Sequence, residues 1–140
     1  AITDGAIDRK ILGGHMRADP LNLTVLESFI HPMVAKARQA FFDKAHKDAS
    51  DIVIMDVPLL FETGGDGYVD KIVVVTAPYE IQKKRVLARP GMTEAMFETL
   101  LARQTPDAIK RKNADYLIFT DKGLEAAREQ VQTILKELRE

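Results

Sequence analysis

Asp56 is a carboxylate whose position in the sequence is typical of a ligand-binding residue. It directly follows the apolar run of residues 52–55, and Pro58 comes two residues later. The apolar run predicts a strand that is covered on both faces, and Pro58 cannot donate to a continuing central strand. Asp56 is therefore expected at the carboxyl end of a buried strand, where open α/β sheets bind ligands. There it can hold Mg²⁺ through water or orient a substrate hydroxyl; the alternative is a structural cap of the following turn.

Four cations have a spacing that suits phosphate binding. Arg85 and Arg89 lie four residues apart on a helix predicted over residues 80–89, so their side chains would project from one face. Lys110 and Arg111 follow after a short predicted helix. A flap that carries these cations could close over a triphosphate, exclude water and neutralise developing charge. The alternative is a solvated helix surface.

His31 is a candidate substrate contact at the end of a predicted amphipathic helix. It precedes Pro32, and a residue before proline avoids helical geometry. The pair is therefore expected to break the helix, with a second helix over residues 34–47. A lone histidine at a helix end is more often a capping residue, so the residues alone leave both roles open.

Strands and helices that would position these residues alternate along the chain. Asp19-Pro20 predicts an N-cap followed by proline at the first helical position, within a region of residues 6–47 that is expected to be helical. Strands are predicted at residues 52–57, 71–77 and 116–120, and further helices at 80–89, 93–103, 106–113 and from 124 onward. Strand, helix and strand in succession predict parallel pairing with right-handed crossovers.

Composition indicates an ordinary globular chain and excludes several kinds of protein. The 140 residues can bury a core as one domain, and 46% hydrophobic with 29% charged residues argues against disorder. A net charge of −1 predicts no strong attraction to nucleic acid or anionic membranes. Without cysteine there is no disulfide and no cysteine-based zinc site. No signal peptide or membrane-length apolar run occurs, and a cytoplasmic location is expected.

Six segments of the chain together resemble the dephospho-CoA kinase family. DVPLLFE, at residues 56–62, is similar to a signature of that family. The pattern continues in GAIDRKILG (5–13), His31-Pro32, KIVVVTAP (71–78), RVLAR (85–89) and QTPDAIKRKNAD (104–115). One such segment would be a weak signal, but six in the family's order across nearly the whole chain are a strong one.

The resemblance implies a fold and a reaction. The fold is an α/β P-loop kinase, a parallel sheet flanked by helices, with a helical coenzyme A-binding region, a core and a lid. These occupy about residues 6–47, 51–78 with 114–140, and 85–113, in one partial kinase domain. The reaction is transfer of the γ-phosphoryl of ATP, with Mg²⁺, to the ribose 3′-hydroxyl of dephospho-CoA, the last step of coenzyme A synthesis. The implied partners are these small molecules, not nucleic acid or a membrane, with the oligomeric state left open.

The resemblance also implies roles for residues that match the family's motifs. Asp56, Arg85 and Arg89 would be catalytic, with Asp56 reaching Mg²⁺ only through water. Substrate-binding roles are implied for Arg9, His31, Pro58, Phe61 and Glu62, and nucleotide-binding or lid roles for Lys110, Arg111 and Asn113.

Some of these residues have a structural alternative, and the chain departs from the family pattern in places. Arg9 could simply neighbour a helix cap at Asp8, and Phe61 could belong to the core. Leu100 stands where the family often has arginine. Residues 119–121 read Phe-Thr-Asp where many relatives have Ile-Asp-Asn, so that edge of the nucleotide site is expected to differ.

A phosphate-binding loop of the G-x-x-x-x-G-K-[ST] type does not occur in this sequence. The family opens with a strand, such a loop and a helix, so the first strand and the P-loop are expected to be absent from this chain. The family places that strand between residues 52–57 and 71–77, and its absence would leave backbone groups unpaired. Two alternatives remain: a P-loop kinase of another small hydroxyl or nucleotide, or an inactive fragment that only binds substrate or a partner.

Overall fold

The computed structural model describes residues 1–3 and 5–140, with the side chain of Pro20 left out. It divides into two compact units, Ala1–Met55 and Asp56–Glu140. The first unit is largely helical, and the second combines helices with a parallel sheet, so the chain is of the α/β class. Among the described residues, no helix has both the length and the apolar character needed to cross a bilayer.

The first unit consists of a short hairpin followed by two helices. Strands β1 (Ile2–Thr3) and β2 (Ala6–Ile7) pair antiparallel. Helix α1 covers Arg9–Ala18, and helix α2 covers Pro20–Lys47. The helical region predicted from residue 6 thus begins later, because residues 6 and 7 pair with β1 instead.

Aspartate caps define where both helices of the first unit begin. A carboxylate oxygen of Asp8 accepts hydrogen bonds from two backbone N–H groups in the first turn of α1, at 2.8 and 3.0 Å. Asp19 accepts from the backbone N–H of Leu21 at 2.9 Å, with proline at the first position of α2. These oxygens satisfy N–H groups that a helix start leaves without partners. The predicted Asp19-Pro20 cap is confirmed.

Helix α2 runs without a break through Pro32, so the predicted break at His31-Pro32 is wrong. Proline removes one backbone hydrogen bond, here the one that would reach the carbonyl of Ser28. The residues around Pro32 are exposed, so water can bond to that carbonyl. Helical hydrogen bonds on both sides of the gap then outweigh the local cost, and the helix continues.

The second unit contains a parallel pair of strands and four α-helices. In chain order its elements are a 3₁₀ helix (Gly65–Tyr68), β3 (Val73–Thr76), α3 (Tyr79–Leu87), α4 (Glu94–Ala102), α5 (Asp107–Lys112), β4 (Tyr116–Phe119) and α6 (Leu124–Glu137). Strands β3 and β4 pair parallel, with Val73 opposite Tyr116 and Thr76 opposite Phe119. Helices α3 to α5 lie between them in the chain, as a parallel connection requires. The predicted parallel pairing is confirmed.

Both faces of the β3–β4 sheet carry a buried side chain in the described structure. Val74 of β3 and Ile118 of β4 are buried, together with Phe97 of α4 and Ile134 of α6, whereas Val75 of β3 is 64% exposed. Ile118 lies opposite Val75 in the ladder and shares its face, and Val74 points to the other face, because successive side chains of a strand alternate. The prediction placed helices on both faces; the described residues bury one strand side chain on each face and leave Val75 exposed.

Residues 52–57 are not a strand in the described structure, so the strand predicted there is wrong. The segment has no ladder partner, and Asp56 is exposed rather than at the end of a buried strand. An apolar run becomes a strand only where a neighbouring strand accepts its backbone hydrogen bonds. In the second unit, β3 and β4 pair only with each other.

Candidate active site

A polar cavity lies at the carboxyl ends of β3 and β4. Its volume is about 260 Å³, and its polar lining includes Thr76, Arg85, Gln104, Asp107, Lys110 and Thr120. A wider cleft of about 990 Å³ shares Thr76, Gln104 and Asp107 with it and extends to Arg111 and Phe119. The carboxyl ends of parallel strands are where α/β sheets bind ligands. Two cations that the sequence nominated, Arg85 and Lys110, therefore line a cavity at the edge of the sheet where such folds bind ligands.

Arg85 is fixed to the end of β4 by two hydrogen bonds. Its guanidinium donates to the hydroxyl of Thr120 at 2.8 Å and to the carbonyl oxygen of Thr120 at 2.6 Å. Thr120 is itself tied to β3, because its N–H and its hydroxyl both donate to the carbonyl of Thr76, at 3.0 and 3.2 Å. A guanidinium has more N–H donors than this contact occupies. The remaining donors are available to an anion in the cavity.

Arg89 lies outside the helix that carries Arg85. Helix α3 ends at Leu87, so the predicted shared helix face of Arg85 and Arg89 is wrong. The reason is local: Pro90 disfavours helical geometry at residue 89, and Gly91 has a left-handed φ of 77°. Arg89 is exposed and lines neither the cavity nor the wider cleft.

Lys110 lines the cavity and is paired with the carboxylate of Glu62, which does not line it. Its ammonium lies 3.0 Å from Oε1 of Glu62, and the two side chains are 17% and 15% exposed. Lys110 also donates to Oε1 of Gln104 at 3.3 Å. The same Oε1 of Glu62 accepts a 2.7 Å hydrogen bond from the backbone N–H of Thr105. Glu62, in the segment after Asp56, is thus bonded to Thr105 in the loop before α5 and to Lys110 in α5.

The carboxyl of Glu62 is held in its charged form. The hydrogen bond from the Thr105 N–H is the main cause that lowers the pKa of Glu62 to about 2, and Lys110 lowers it further against the effect of burial. Its other oxygen, Oε2, is buried and has no hydrogen-bond partner among the described residues. Glu62 therefore faces Lys110 as an anion at any physiological pH.

Several polar residues of the cavity, among them Thr76, Asp107 and Thr120, were not nominated from the sequence. Thr76, only 5% exposed, donates its hydroxyl to a carboxylate oxygen of Asp107 at 2.7 Å. Thr120 accepts a hydrogen bond from the guanidinium of Arg85. A signal for both threonines was present, since each is the first polar residue after the apolar run of a strand, the same position that nominated Asp56. Asp107, at the first position of α5, had no comparable signal.

Arg111 and Phe119 form one wall of the wider cleft. The guanidinium carbon of Arg111 lies 5.4 Å from the ring centroid of Phe119, a cation–π distance. Arg111 also lies 3.9 Å from a carboxylate oxygen of Asp107. A flat cationic group above an aromatic ring offers a surface against which a planar base can stack.

Asn113 ends α5 beside the start of β4. Its side-chain amide donates to the carbonyl of Ile109 at 3.0 Å, which closes the last turn of the helix. Asp115 then accepts from the backbone N–H of Ile72 at 2.8 Å and from Lys71 at 3.2 Å. These bonds hold the turn between α5 and β4. The pKa of Asp115 is lowered, chiefly by the Ile72 N–H.

The other predicted site residues lie elsewhere in the two units. Arg9 is the first residue of α1, and His31 is within α2; both are exposed residues of the first unit. In the second unit, Asp56 and Pro58 are exposed and Phe61 is half-buried. Neither the cavity nor the wider cleft is lined by these three.

The described residues suit a hydrated magnesium ion better than a closed metal cage. No three histidine, aspartate or glutamate side chains among them are grouped as metal ligands. Mg²⁺ in kinases keeps several waters and is bound through one or two carboxylates together with substrate phosphates. The exposed carboxylate of Asp56 fits such a contact through water.

Comparison with known proteins gives one consistent result. The sequence model described as dephospho-CoA kinase matches residues 1–126. The chain is 51% identical over 134 residues to the dephospho-CoA kinase of Agrobacterium fabrum, covering 96% of this chain and 69% of that one. It is 51% identical over 138 residues to the dephospho-CoA kinase of Mesorhizobium japonicum, covering 99% and 70%.

Solved structures agree with the sequence relatives. TT1252 from Thermus thermophilus matches with a TM-score of 0.71 and 33% identity, over 99% of this chain and 71% of that one. The dephospho-CoA kinase from Campylobacter jejuni matches with a TM-score of 0.69 and 25% identity, over 99% and 68%. Fold, sequence and the cationic cavity at the strand ends agree on one assignment. The chain belongs to the dephospho-CoA kinase family of phosphotransferases.

Proposed function

We propose that the protein is a cytoplasmic P-loop kinase that transfers the γ-phosphoryl group of ATP to the ribose 3′-hydroxyl of dephospho-CoA. Membership in the family supports the acceptor, because the family is named for it. The product is coenzyme A, so the reaction is the final step of its synthesis. The structural observation that carries the proposal is the cavity at the ends of β3 and β4, where Arg85 and Lys110 both face the same space.

Phosphoryl transfer depends mainly on positioning and on stabilising charge, which this cavity can supply. The transferred group carries negative charge over its oxygens in the transition state. Arg85 is oriented beforehand by Thr120, so its remaining donors need little reorganisation to meet those oxygens. Lys110 contributes a second cation from α5. Arg89, on the exposed turn after α3, would contribute if that turn closed over the nucleotide.

Magnesium would be bound together with the nucleotide. When bound, Mg²⁺ would reduce the negative charge of the phosphates. Asp56 would hold the ion through water. The exposed carboxylate, which has no hydrogen bond or ion pair among the described residues, supports that role.

The nucleotide base is proposed to occupy the wider cleft. Arg111 above Phe119 provides a stacking surface, and the turn after Asn113 offers backbone groups for the edge of the adenine. Stacking of a planar base on an aromatic or guanidinium group is favourable and tolerates some variation in geometry. This placement puts the phosphates toward Lys110.

Roles in binding the acceptor are proposed for residues of each unit taken by itself. Glu62, which the sequence also nominated, is left out, because its Oε1 already accepts from Thr105 and Lys110 and its Oε2 is buried. The candidates are Arg9 and His31 in the first unit, and Pro58 and Phe61 in the second. Their correspondence to segments within the region matched by the family model supports this role. Charged and aromatic side chains of these types suit the phosphates and the adenine of dephospho-CoA.

Release of ADP from Mg-ATP with and without dephospho-CoA tests the proposed function. The protein, expressed as its gene encodes it, is expected to release ADP only when dephospho-CoA is present. Adenosine, AMP and pantetheine serve as competing acceptors at the same concentration. Turnover that is independent of dephospho-CoA, or that is faster with one of the other acceptors, would contradict the assignment.

A further inference from the structure

Glu62 has a setting that differs from that of a substrate contact. Its Oε1 already accepts from the Thr105 N–H and from Lys110, at 2.7 and 3.0 Å. Its Oε2 is buried without a hydrogen-bond partner among the described residues. A substrate group would have to displace protein neighbours to reach either oxygen. The contacts of Glu62 therefore point toward the protein, and in particular toward Lys110.

The backbone that carries Glu62 is itself well fixed. The N–H of Thr63 donates to the carbonyl of Leu59 at 3.1 Å, and the N–H of Gly65 donates to that of Leu60 at 2.9 Å. Gly64, between them, has a left-handed φ of 66° that glycine adopts without strain. The carboxylate of Glu62 is therefore carried by a backbone whose position is fixed by hydrogen bonds.

Lys110 contacts both Glu62 and the cavity. Its stem is mostly buried, and its ammonium is shared between Glu62 and Gln104. An ammonium has more N–H donors than these two acceptors occupy. Because Lys110 lines the cavity, a remaining donor can meet a ligand oxygen there. A lysine without the carboxylate would sample many rotamers, which would have to be ordered when the ligand binds.

We propose that Glu62 is a positioning residue for the kinase reaction, holding the Lys110 ammonium and the Gln104–Thr105 backbone so that Lys110 meets a phosphate oxygen of ATP. The proposal rests on the proposed function. Glu62 has two opposing effects on ATP binding. It fixes the position of the Lys110 ammonium, which favours binding, and its negative charge offsets the positive charge of Lys110, which disfavours binding. Fixed geometry contributes more to ATP binding than the extra free charge would.

The test is a double-mutant cycle in the protein as its gene encodes it. Glu62→Gln keeps an oxygen that accepts from Thr105 but removes the charge that holds Lys110. Lys110→Met removes the cation and keeps much of its apolar volume. Each single variant is expected to lower kcat/KM for ATP by about tenfold and to weaken ATP binding in calorimetry, with KM for dephospho-CoA unchanged. The double variant is expected to be no worse than Lys110→Met, because Glu62 acts through Lys110.

Matched controls separate positioning from general stability. Glu125→Gln makes the same chemical change in the exposed pair that Glu125 forms with Arg128 at 3.4 Å on α6, and it should leave kinetics unchanged. Lys110→Arg, which keeps a cation able to pair with Glu62, should retain more ATP affinity than Lys110→Met. Unfolding midpoints of all variants are measured alongside.

Several outcomes would overturn the proposal. Glu62 would be an acceptor contact if Glu62→Gln raised KM for dephospho-CoA and its effect added to that of Lys110→Met. Glu62 would have only a structural role if Glu62→Gln lowered the fraction of active protein and left KM for ATP and KM for dephospho-CoA unchanged. Tighter ATP binding by Glu62→Gln would mean that charge release outweighs geometry.

Two further comparisons cover a misfolded variant and a wrong acceptor. If Glu62→Gln does not fold, the double variant is compared with Lys110→Met, and any difference in KM for dephospho-CoA contradicts the proposal. If the unaltered protein binds ATP but does not turn over dephospho-CoA, the proposed function fails and the calorimetric cycle still tests the role of Glu62. If it binds no ATP, both proposals fail.

Discussion

At the scale of single residues, the candidate site contains cations whose orientation is set by protein groups. Arg85 is bound to Thr120 at the end of β4, and Lys110 is bound to Glu62 and Gln104. Such cations have little freedom to lose when an anion arrives. Arg89, by contrast, is on an exposed turn. We therefore expect these cations, which look alike in the sequence, to contribute unequally to the binding of an anion.

Arg85→Met is expected to lower kcat/KM for ATP by about 100-fold, because it removes donors aimed at developing charge. Lys84→Met is the matched control, since Lys84 is the adjacent exposed cation of α3 and lines neither the cavity nor the wider cleft. Its kcat/KM is expected to stay near that of the unaltered protein. Initial rates at varied ATP and saturating dephospho-CoA measure both. Equal, small effects of the two substitutions would indicate that Arg85 only ties α3 to β4.

At the scale of elements, helix starts and strand ends place the polar groups of the site. Thr93 accepts from the N–H of Met96 at 3.2 Å and caps α4, the helix that the sequence predicted over residues 93–103. The strands β3 and β4 end at Thr76 and Phe119, so the hydroxyls of Thr76 and Thr120 reach the same edge. Helix α2 is the element that departs most from expectation, since it includes a proline in its interior.

Pro32→Ala is expected to increase the free energy of unfolding by about 1–3 kcal/mol, because it restores the backbone hydrogen bond to Ser28 and relieves a steric conflict. Urea unfolding followed by helical circular dichroism measures the change. Met33→Ala, at the next exposed position of α2, is the control and should change stability by less than about 0.5 kcal/mol. An unchanged or lowered stability of Pro32→Ala would mean that α2 is not continuous in solution.

At the scale of the whole molecule, the described residues bury a small core. Val74, Ala77, Phe97, Ile118 and Ile134 are the buried hydrophobic residues among them, while large apolar side chains such as Phe29 and Val75 are exposed. Apolar burial is the main favourable contribution to folding. Val75 is the clearest example, because the strands of parallel sheets are normally covered on both faces.

A polypeptide of these 140 residues by itself is therefore expected to be poorly stable. Small domains with a full core melt cooperatively at about 45–65 °C. This polypeptide is expected to lose its structure gradually, or with a midpoint below that range, because little apolar surface is buried per ordered residue. A circular dichroism melt tests it, and a cooperative transition within that range would refute the prediction.

The amino-acid sequence by itself determined the family, the parallel pairing and most of the element boundaries in the second unit. Caps such as Asp19 and Thr93, the Pro90-Gly91 break and the polar residues after apolar runs act within a few residues of themselves. Such local preferences can be recognised without knowing the fold. The sequence placed Arg85 and Lys110 on one predicted flap, and both line the cavity.

Tertiary structure alone decided what the nominated side chains touch. The bond from Thr105 to Glu62 joins residues 43 positions apart, and the bonds from Arg85 to Thr120 span 35 positions. No local pattern encodes such contacts, because they depend on which strand ends and loops meet in space. The same reason explains residues 52–57: their apolar pattern favours a strand, but a strand also needs a paired neighbour, which the described structure does not provide.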